Sequence, residues 1–237
     1  NKEVILVDNN STDETINIAS SFKDVKIVKY SPEGIFKPGE SINLGIKAST
    51  GEYIVIISGH CIPTNKKWLS NLLRNLKDKN IAGVYGRQEP LSFTSSLDKR
   101  DLVITFGLDK KIQKKDPFFH NANSALRRDT WEKIPFDEKC TNIEDRIWGK
   151  EVIARGYKII YEPDASVFHH HGIHQDANED RARKIVKIME NDFFKSDKLS
   201  LVKQSTNDIV IIYDSHKYDN FRLSLLQKCI SLINSSN

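Results

Sequence analysis

The sequence predicts an α/β domain built on a doubly wound, mostly parallel sheet with helices on both faces. Three observations predict it. Apolar runs at 3–7 (EVILV) and 53–57 (YIVII) are β-branched and free of polar alternation, as in strands covered on both sides. Helical segments alternate with the strands in the order strand, helix, strand, loop, helix, strand. The chain has 237 residues, 38% hydrophobic and 29% charged, which is enough to bury a core.

Each element has a local reason. Ser11 followed by Glu14 is a capping-box pattern, so a helix over 13–22 is expected, with its backbone donors facing the loop after the first strand. Asp8 and Asn10 lie in that loop. A strand feeding an acidic loop and a helix start can hold a nucleotide's base or ribose, with Asp8 accepting from an N–H or O–H. A plain capped turn between strand and helix has the same sequence. Residues 25–30 form the next strand, and 31–39, with two prolines and two glycines, form a loop. A helix over 41–48 then leads into 53–57, which stops abruptly at Ser58-Gly59-His60. Ligands of open α/β sheets collect beyond the carboxyl ends of such strands. An ordinary turn carrying a surface histidine also fits this stretch.

A helix over 68–76 carries Trp68, Leu69, Leu72, Leu73 and Leu76 at core spacing, and 82–86 is a short strand. From 87 to 117 periodicity is poor and charge dense, which suggests an excursion across the face of the site. Arg87, Lys99 and Arg100 are there either as contacts to a diphosphate or an acidic acceptor or as solvated loop charges. Residues 118–128 (FFHNANSALRR) begin apolar and fill with small polar side chains, a composition suited to a wall that contacts sugar. Glu144-Asp145 opens a helix running to about Ala154, Gly156 ends it, and 158–161 is a strand.

Composition excludes several classes. Lys and Arg number 36 against 32 Asp and Glu, so the net charge of +4 gives no general nucleic-acid footprint. Cysteines at 61, 140 and 229 have no metal-ligand spacing and cannot all pair, which favours a reducing compartment. With no membrane-length apolar run and no opening signal peptide, a cytoplasmic location is expected.

The succession EVILVDNNSTDET, GESINLGIKASTGEYIVIISGHCIP, FHNANSALRRDTWEKIPFDE and NIEDRIWGKEVIARGYKIIYEPDASVFHHHG resembles the family 2 glycosyltransferases with the GT-A fold, over roughly residues 3–172. The resemblance implies an inverting transfer of sugar from a nucleotide-diphosphate sugar to a hydroxyl acceptor, on a surface glycan of a bacterium. It also implies a glycan or glycolipid acceptor, no nucleic-acid partner, and peripheral association with the inner face of a membrane. The family carries Asp-x-Asp at the end of the strand equivalent to 53–57, touching the nucleotide sugar and a divalent cation, Mn²⁺ or Mg²⁺. Here Ser58 and His60 stand in the two carboxylate positions, which removes two negative charges. Imidazole suits Mn²⁺ and other transition metals but is a poor ligand for Mg²⁺, and any affinity should fall as His60 protonates below ~6.5.

Residue by residue, the resemblance makes Asp145 the catalytic base and Glu144 its neighbour that positions the acceptor or the helix. It makes Ser58 and Gly59 nucleotide-sugar contacts, and His60, His169 and His171 candidate metal ligands. His120, Asn121 and Asn123 are acceptor candidates. The missing Asp-x-Asp also admits a GT-A-shaped binding domain that has lost catalysis.

Against the family's order, the chain begins at the second strand, while 208–213 (DIVIIY) and a helix over 221–233 have the composition of the first strand-helix unit. The expected organisation is a core over 1–175, a helix and linker over 176–207, and a unit over 208–237 that completes the same sheet by circular permutation. Tyr213, Asp214 and Ser215 would then border the nucleotide base near Asp8. A tandem second domain opening at 208 is the other arrangement.

Overall fold

The structure is a computed structural model that describes residues 2–169 and 178–192. The chain divides into a unit of residues 1–185 and another of 186–237, and the site described below lies in the first. The strand and helix expected within 208–237, with Tyr213, Asp214 and Ser215, lie outside the described residues, as does His171.

The chain opens with β1 (Val4–Asp8), α1 (Thr15–Ser20), β2 (Val25–Lys29), α2 (Pro38–Lys47) and β3 (Tyr53–Ile57), in the expected alternation. After β4 (Cys61–Pro63) come α3 (Trp68–Leu73), β5 (Ile81–Pro90), α4 (Ser96–Thr105) and β6 (Lys111–Gln113). The remainder is β7 (Asn123–Arg127), α5 (Arg128–Lys133), α6 (Glu144–Ala154), β8 (Lys158–His169) and α7 (Glu179–Asp192).

Among the described residues the strands form two sheets. β1 and β2 pair in parallel, and a six-stranded sheet runs β3-β7-β5-β8-β4 with β6 also on β8. The mostly parallel arrangement expected from sequence holds for β1–β2 and β5–β8, whereas β3–β7, β5–β7, β4–β8 and β6–β8 are antiparallel. The reason is the excursion after β5. β7 starts at Asn123, opposite the end of β3 at Ile57, and so runs back between β3 and β5 without a crossover.

Alternation along the strands sends side chains to both faces, and helices cover both. Ile54, Tyr85, Leu126, Ile159 and Tyr161 join Leu102 of α4, Trp131 of α5 and Trp148 of α6 in one core. Val84, Ala125 and Ile160, from the same strands, meet Leu72 of α3 and Leu76 in another. Burial of large apolar side chains, each worth about 1.5–3 kcal/mol, therefore holds this sheet from both sides.

Two local expectations are corrected. The capping box does not form: the Ser11 N–H donates to both Asp8 carboxylate oxygens at 3.2 and 3.3 Å, and the first helical residue is Thr15. Asn10 takes a positive φ of 56°, tolerable for asparagine, and turns the loop back on Asp8. The excursion contains a helix, α4, that periodicity misses because Leu97, Val103 and Ile104 are exposed while Asp98 is buried. Its start was legible in Ser95-x-x-Asp98, where the Ser95 hydroxyl oxygen accepts the Asp98 N–H at 3.2 Å.

Candidate active site

The segment His120–Asn123 brings the site together. It leaves the excursion, crosses beyond the end of β3 and enters β7, touching the Ser58 turn on one side and the start of α6 on the other. The Ser58 N–H donates to the Ala122 carbonyl at 3.1 Å, and the Cys61 N–H closes a tight turn on the Ser58 carbonyl at 2.9 Å. Asn121 donates its backbone N–H to Asp145 Oδ2 at 3.1 Å and its side-chain amide to Glu144 Oε1 at 3.0 Å. The contacts to the end of β3 and to the acidic pair thus come from adjacent residues, Ala122 and Asn121, of one turn that the Asn123 N–H closes on the His120 carbonyl at 3.4 Å.

The acidic pair is held under constraint. Ile143, just before α6, has φ +58°, where a β-branched residue costs on the order of 1–3 kcal/mol. The kink starts α6 so that Glu144 enters the protein, 6% exposed, while Asp145 stays half-buried. Burial, together with the charge of Asp145, pushes the Glu144 carboxyl up to about 8. Glu144 therefore keeps its proton at neutral pH. Asp145 accepts the Arg146 N–H at 2.8 Å on Oδ1 and the Asn121 N–H on Oδ2. Both carboxylate oxygens are anchored by backbone donors, and each keeps a lone pair for substrate.

Cations that the sequence did not suggest lie near the pair. Arg181 of α7 is held below the usual guanidinium range by burial, an effect opposed by the charges of Glu144 and Asp145. Arg146 stacks over the Phe118 ring at 4.7 Å. No sequence periodicity announces either, because they come to the pair from α7 and from its own helix. Arg87, Lys99 and Arg100 instead have local partners: Glu89 at 3.7 Å, the Ser92 carbonyl at 2.7 Å and Asp101 at 2.9 Å.

The acceptor candidates separate. His120 is half-buried, and burial lowers its pKa against the opposing charge of Asp145. Asn121 is committed to the acidic pair. Asn123 is fully buried, accepting from Trp68 Nε1 at 2.8 Å and donating to the Arg87 and Ala165 carbonyls at 3.1 and 2.8 Å. It ties α3, β5 and β8 together behind the site.

At the corner, His60 is exposed and Gly59 opens onto free space. Cys61 of β4 pairs directly with His169 of β8, and the rings of His60 and His169 lie 4.8 Å apart. The ligand atoms of His60, Cys61 and His169 all fall within 4.8 Å of one another. The cysteine spacing argument thus overlooked Cys61, since its companions are a neighbour in a turn and a partner across a sheet. Apolar surroundings push the Cys61 thiol up to about 12. Asp8 is buried at the end of β1, capping Ser11, and Asn10 accepts from the Ser31 hydroxyl at 2.9 Å.

The family model for glycosyl transferase family 2 matches residues 1–134. The chain belongs to glycosyl transferase family 2. Among curated relatives of this family 2 chain, it is 31% identical over 179 residues to the O-antigen chain rhamnosyltransferase WbaN of Salmonella anatum, covering 71% of this chain and 56% of that protein. It is 28% identical over 180 residues to the O-antigen chain rhamnosyltransferase RfbN of Salmonella typhimurium, covering 71% and 57%. The chain thus spans about half the length of the curated relatives it matches. Its fold matches GT-A structures. A mannosyltransferase from Pyrobaculum calidifontis, in complex with GDP-Man and Mn²⁺, superposes with a TM-score of 0.53 at 21% identity, covering 70% of this chain and 47% of that one. Staphylococcus aureus TarS gives a TM-score of 0.53 at 17% identity, covering 79% and 56%. Among the described residues, no helix is long and apolar enough to cross a membrane.

Proposed function

We propose that the chain is the catalytic portion of an inverting glycosyltransferase that moves a sugar from a nucleotide-diphosphate sugar to a hydroxyl of a growing surface polysaccharide. The observation that carries this is the segment His120–Asn123, hydrogen-bonded to Asp145 and Glu144 through Asn121 and to Ser58 through Ala122. A donor whose diphosphate rests at Ser58–His60 would present its anomeric carbon toward Asp145. Asp145, oriented by two backbone N–H groups, takes the proton of the acceptor hydroxyl as that oxygen attacks. The nucleoside diphosphate then leaves from the opposite face of the sugar.

Glu144, protonated at neutral pH, avoids a second negative charge beside the base and donates or accepts within the protein. Arg181 and Arg146 offset the charge of the pair and that of the incoming donor. Asp8 and Asn10 are the proposed contacts for the nucleoside. Asn123 is better read as a positioning residue than as an acceptor contact, because three hydrogen bonds occupy its amide.

A divalent cation, as in the mannosyltransferase complex with Mn²⁺, would be held by His60 and His169. Two imidazoles do not fit Mg²⁺, whose hard octahedral shell is built from oxygen. They do fit a transition metal, which when bound supplies positive charge to the leaving diphosphate. The named relatives make nucleotide-activated rhamnose the first donor to screen, with lipid-linked acceptors at a membrane face.

The test is transfer from a panel of nucleotide sugars by the wild type and Asp145→Asn. A loss of about 10²–10⁴-fold in turnover with unchanged nucleoside diphosphate affinity is expected. Undiminished donor turnover in the variant would remove Asp145 from the mechanism. Tight calorimetric binding without turnover in the wild type would favour the second reading, a binding domain, to which the absence of Asp-x-Asp points.

A further inference from the structure

We propose that His60, Cys61 and His169 form a thiolate-containing site that takes Zn²⁺, not the oxygen-bound Mg²⁺ or Mn²⁺ that an Asp-x-Asp corner serves. This deepens the proposed function, since it rests on the corner being the diphosphate end of the site.

Geometry and chemistry both carry it. Cys61 and His169 are direct partners across the antiparallel β4–β8 ladder, so their side chains leave the same face of the sheet. His60 precedes Cys61 in the tight turn closed by the Cys61 N–H on Ser58, and its ring reaches back to 4.8 Å from that of His169. The three ligand atoms already lie within 4.8 Å of one another. In a tetrahedral site with Zn–N near 2.0 Å and Zn–S near 2.3 Å, ligand atoms stand roughly 3.3–3.7 Å apart. A closure of about 1 Å is needed, which rotation of the exposed His60 can supply.

The donor set is two nitrogens and one sulfur. Thiolate and imidazole together select borderline and soft ions, whereas carboxylate and water suit Mg²⁺ and Mn²⁺. Three protein ligands leave one tetrahedral position open, the pattern of zinc sites that accept a substrate atom. A diphosphate oxygen is the substrate atom this corner would offer. The surroundings also favour a pre-set site: Cys61 packs with Ala122 and Val167 over Trp68, so its side chain is held in place on a dry floor. The same Ala122 carbonyl that accepts from Ser58 links the corner to the acidic pair, so occupancy here would be felt one residue from Asn121.

The experiment uses the full chain, stripped by a chelator and titrated with Co²⁺ as a spectroscopic stand-in for Zn²⁺. A saturable one-to-one signal with a thiolate-to-cobalt charge-transfer band is expected, displaced by Zn²⁺ and not by Mg²⁺. Cys61→Ser, nearly isosteric and checked for folding by circular dichroism, should lose the band and weaken Zn²⁺ binding by more than about tenfold. Cys140→Ser should keep both, since the Cys140 thiol donates to the Asn142 carbonyl away from this cluster. His60→Ala, a change at an exposed position, should weaken Zn²⁺ binding without loss of fold. Absence of the band, or its persistence in Cys61→Ser, overturns the proposal. The transferase reading fails separately: turnover that survives both the chelator and Cys61→Ser leaves that reading standing and removes the zinc. A thiolate-bound Co²⁺ in a protein that turns over no nucleotide sugar does the reverse.

Discussion

The two sheets formed by the described residues differ in how firmly they are built. In the six-stranded sheet every residue of β7 is buried, and Trp148, Tyr161 and Leu126 are sealed from solvent between helices on both faces. In the β1–β2 pair, Val4 is 52% exposed, and α1, which packs on it, buries no residue and leaves Ile18 61% exposed. Among the described residues the pair is tied to the rest through Glu3, whose carboxylate accepts from the Thr50 and Gly51 N–H groups at 2.7 Å, and through α2. The acidic pair and the histidine corner stand on the firm sheet, whereas the proposed nucleoside contacts Asp8 and Asn10 stand on the loose one. Under the proposed function, a domain built this way would keep its reacting groups fixed and let the nucleotide end adjust.

The strongest way to break this contrast is to push on the firm sheet. A Cβ at Gly86 would lie 2.0 Å from the Ala165 carbonyl oxygen and 2.3 Å from the Asn123 side-chain amide. Neither can give way easily, because the first is backbone of β8 that accepts from the Asn123 amide at 2.8 Å and the second already holds two carbonyls. Gly86→Ala should therefore cost more than about 3 kcal/mol, the upper end of ordinary overpacking, as read from urea unfolding. A loss under 1 kcal/mol would mean that the sheet is far more compliant than its burial indicates.

A middle-sized effect sharpens the picture of the site. Glu144 has its folded pKa raised to about 8 from an ordinary 4.5, by burial first and by the Asp145 charge second. Between those two values the unfolded chain has lost the proton that the folded protein keeps. Stability contributed by the neutral carboxyl is thus complete below about pH 4.5, falls as pH rises, and levels off above about pH 8. The total is on the order of a few kcal/mol. Glu144→Gln keeps an acceptor for Asn121 and cannot ionise, so its unfolding midpoints should lose this slope. A wild-type slope that persists in the variant would move the effect to another group.

Much of this was legible in the chain. Uniform apolar runs marked β1 and β3, Gly156 with its φ of +84° marked the end of α6, and Glu144-Asp145 stood out because two carboxylates open a helix. What escaped reading was tertiary in origin. β7 hides in FHNANSALRR because its small polar residues Asn123 and Ser124 are buried by hydrogen bonding, not by hydrophobicity. Cys61 meets His169 only through strand pairing, and Arg181 reaches the acidic pair from a separate helix, so spacing along the chain carries no trace of either. The separation of the described strands into two sheets was likewise invisible, since strand composition reports burial and not which neighbour a strand will find.

The smallest effect is the most discriminating for the loose sheet. Gly45 lies in α2, and a Cβ there would stand 2.7 Å from Cγ2 of Val7 on β1. Two terms then oppose one another. Alanine gains about 1 kcal/mol of helix propensity over glycine, while displacing or rotating Val7 costs about 0.5–1.5 kcal/mol. Gly45→Ala should therefore change stability by less than about 1 kcal/mol in either direction, unlike the same substitution at Gly86. The methyl must still be accommodated, and the half-buried β1 is the side that yields. Val7 precedes Asp8, whose carboxylate accepts from the Ser11 N–H, so a shift of β1 re-aims the group proposed to hold the nucleoside. Calorimetry should show nucleoside diphosphate affinity reduced several-fold while the unfolding midpoint holds. If stability fell steeply and affinity did not change, β1 would be as rigidly seated as β5, and the division into a fixed reacting end and an adjustable nucleotide end would be wrong.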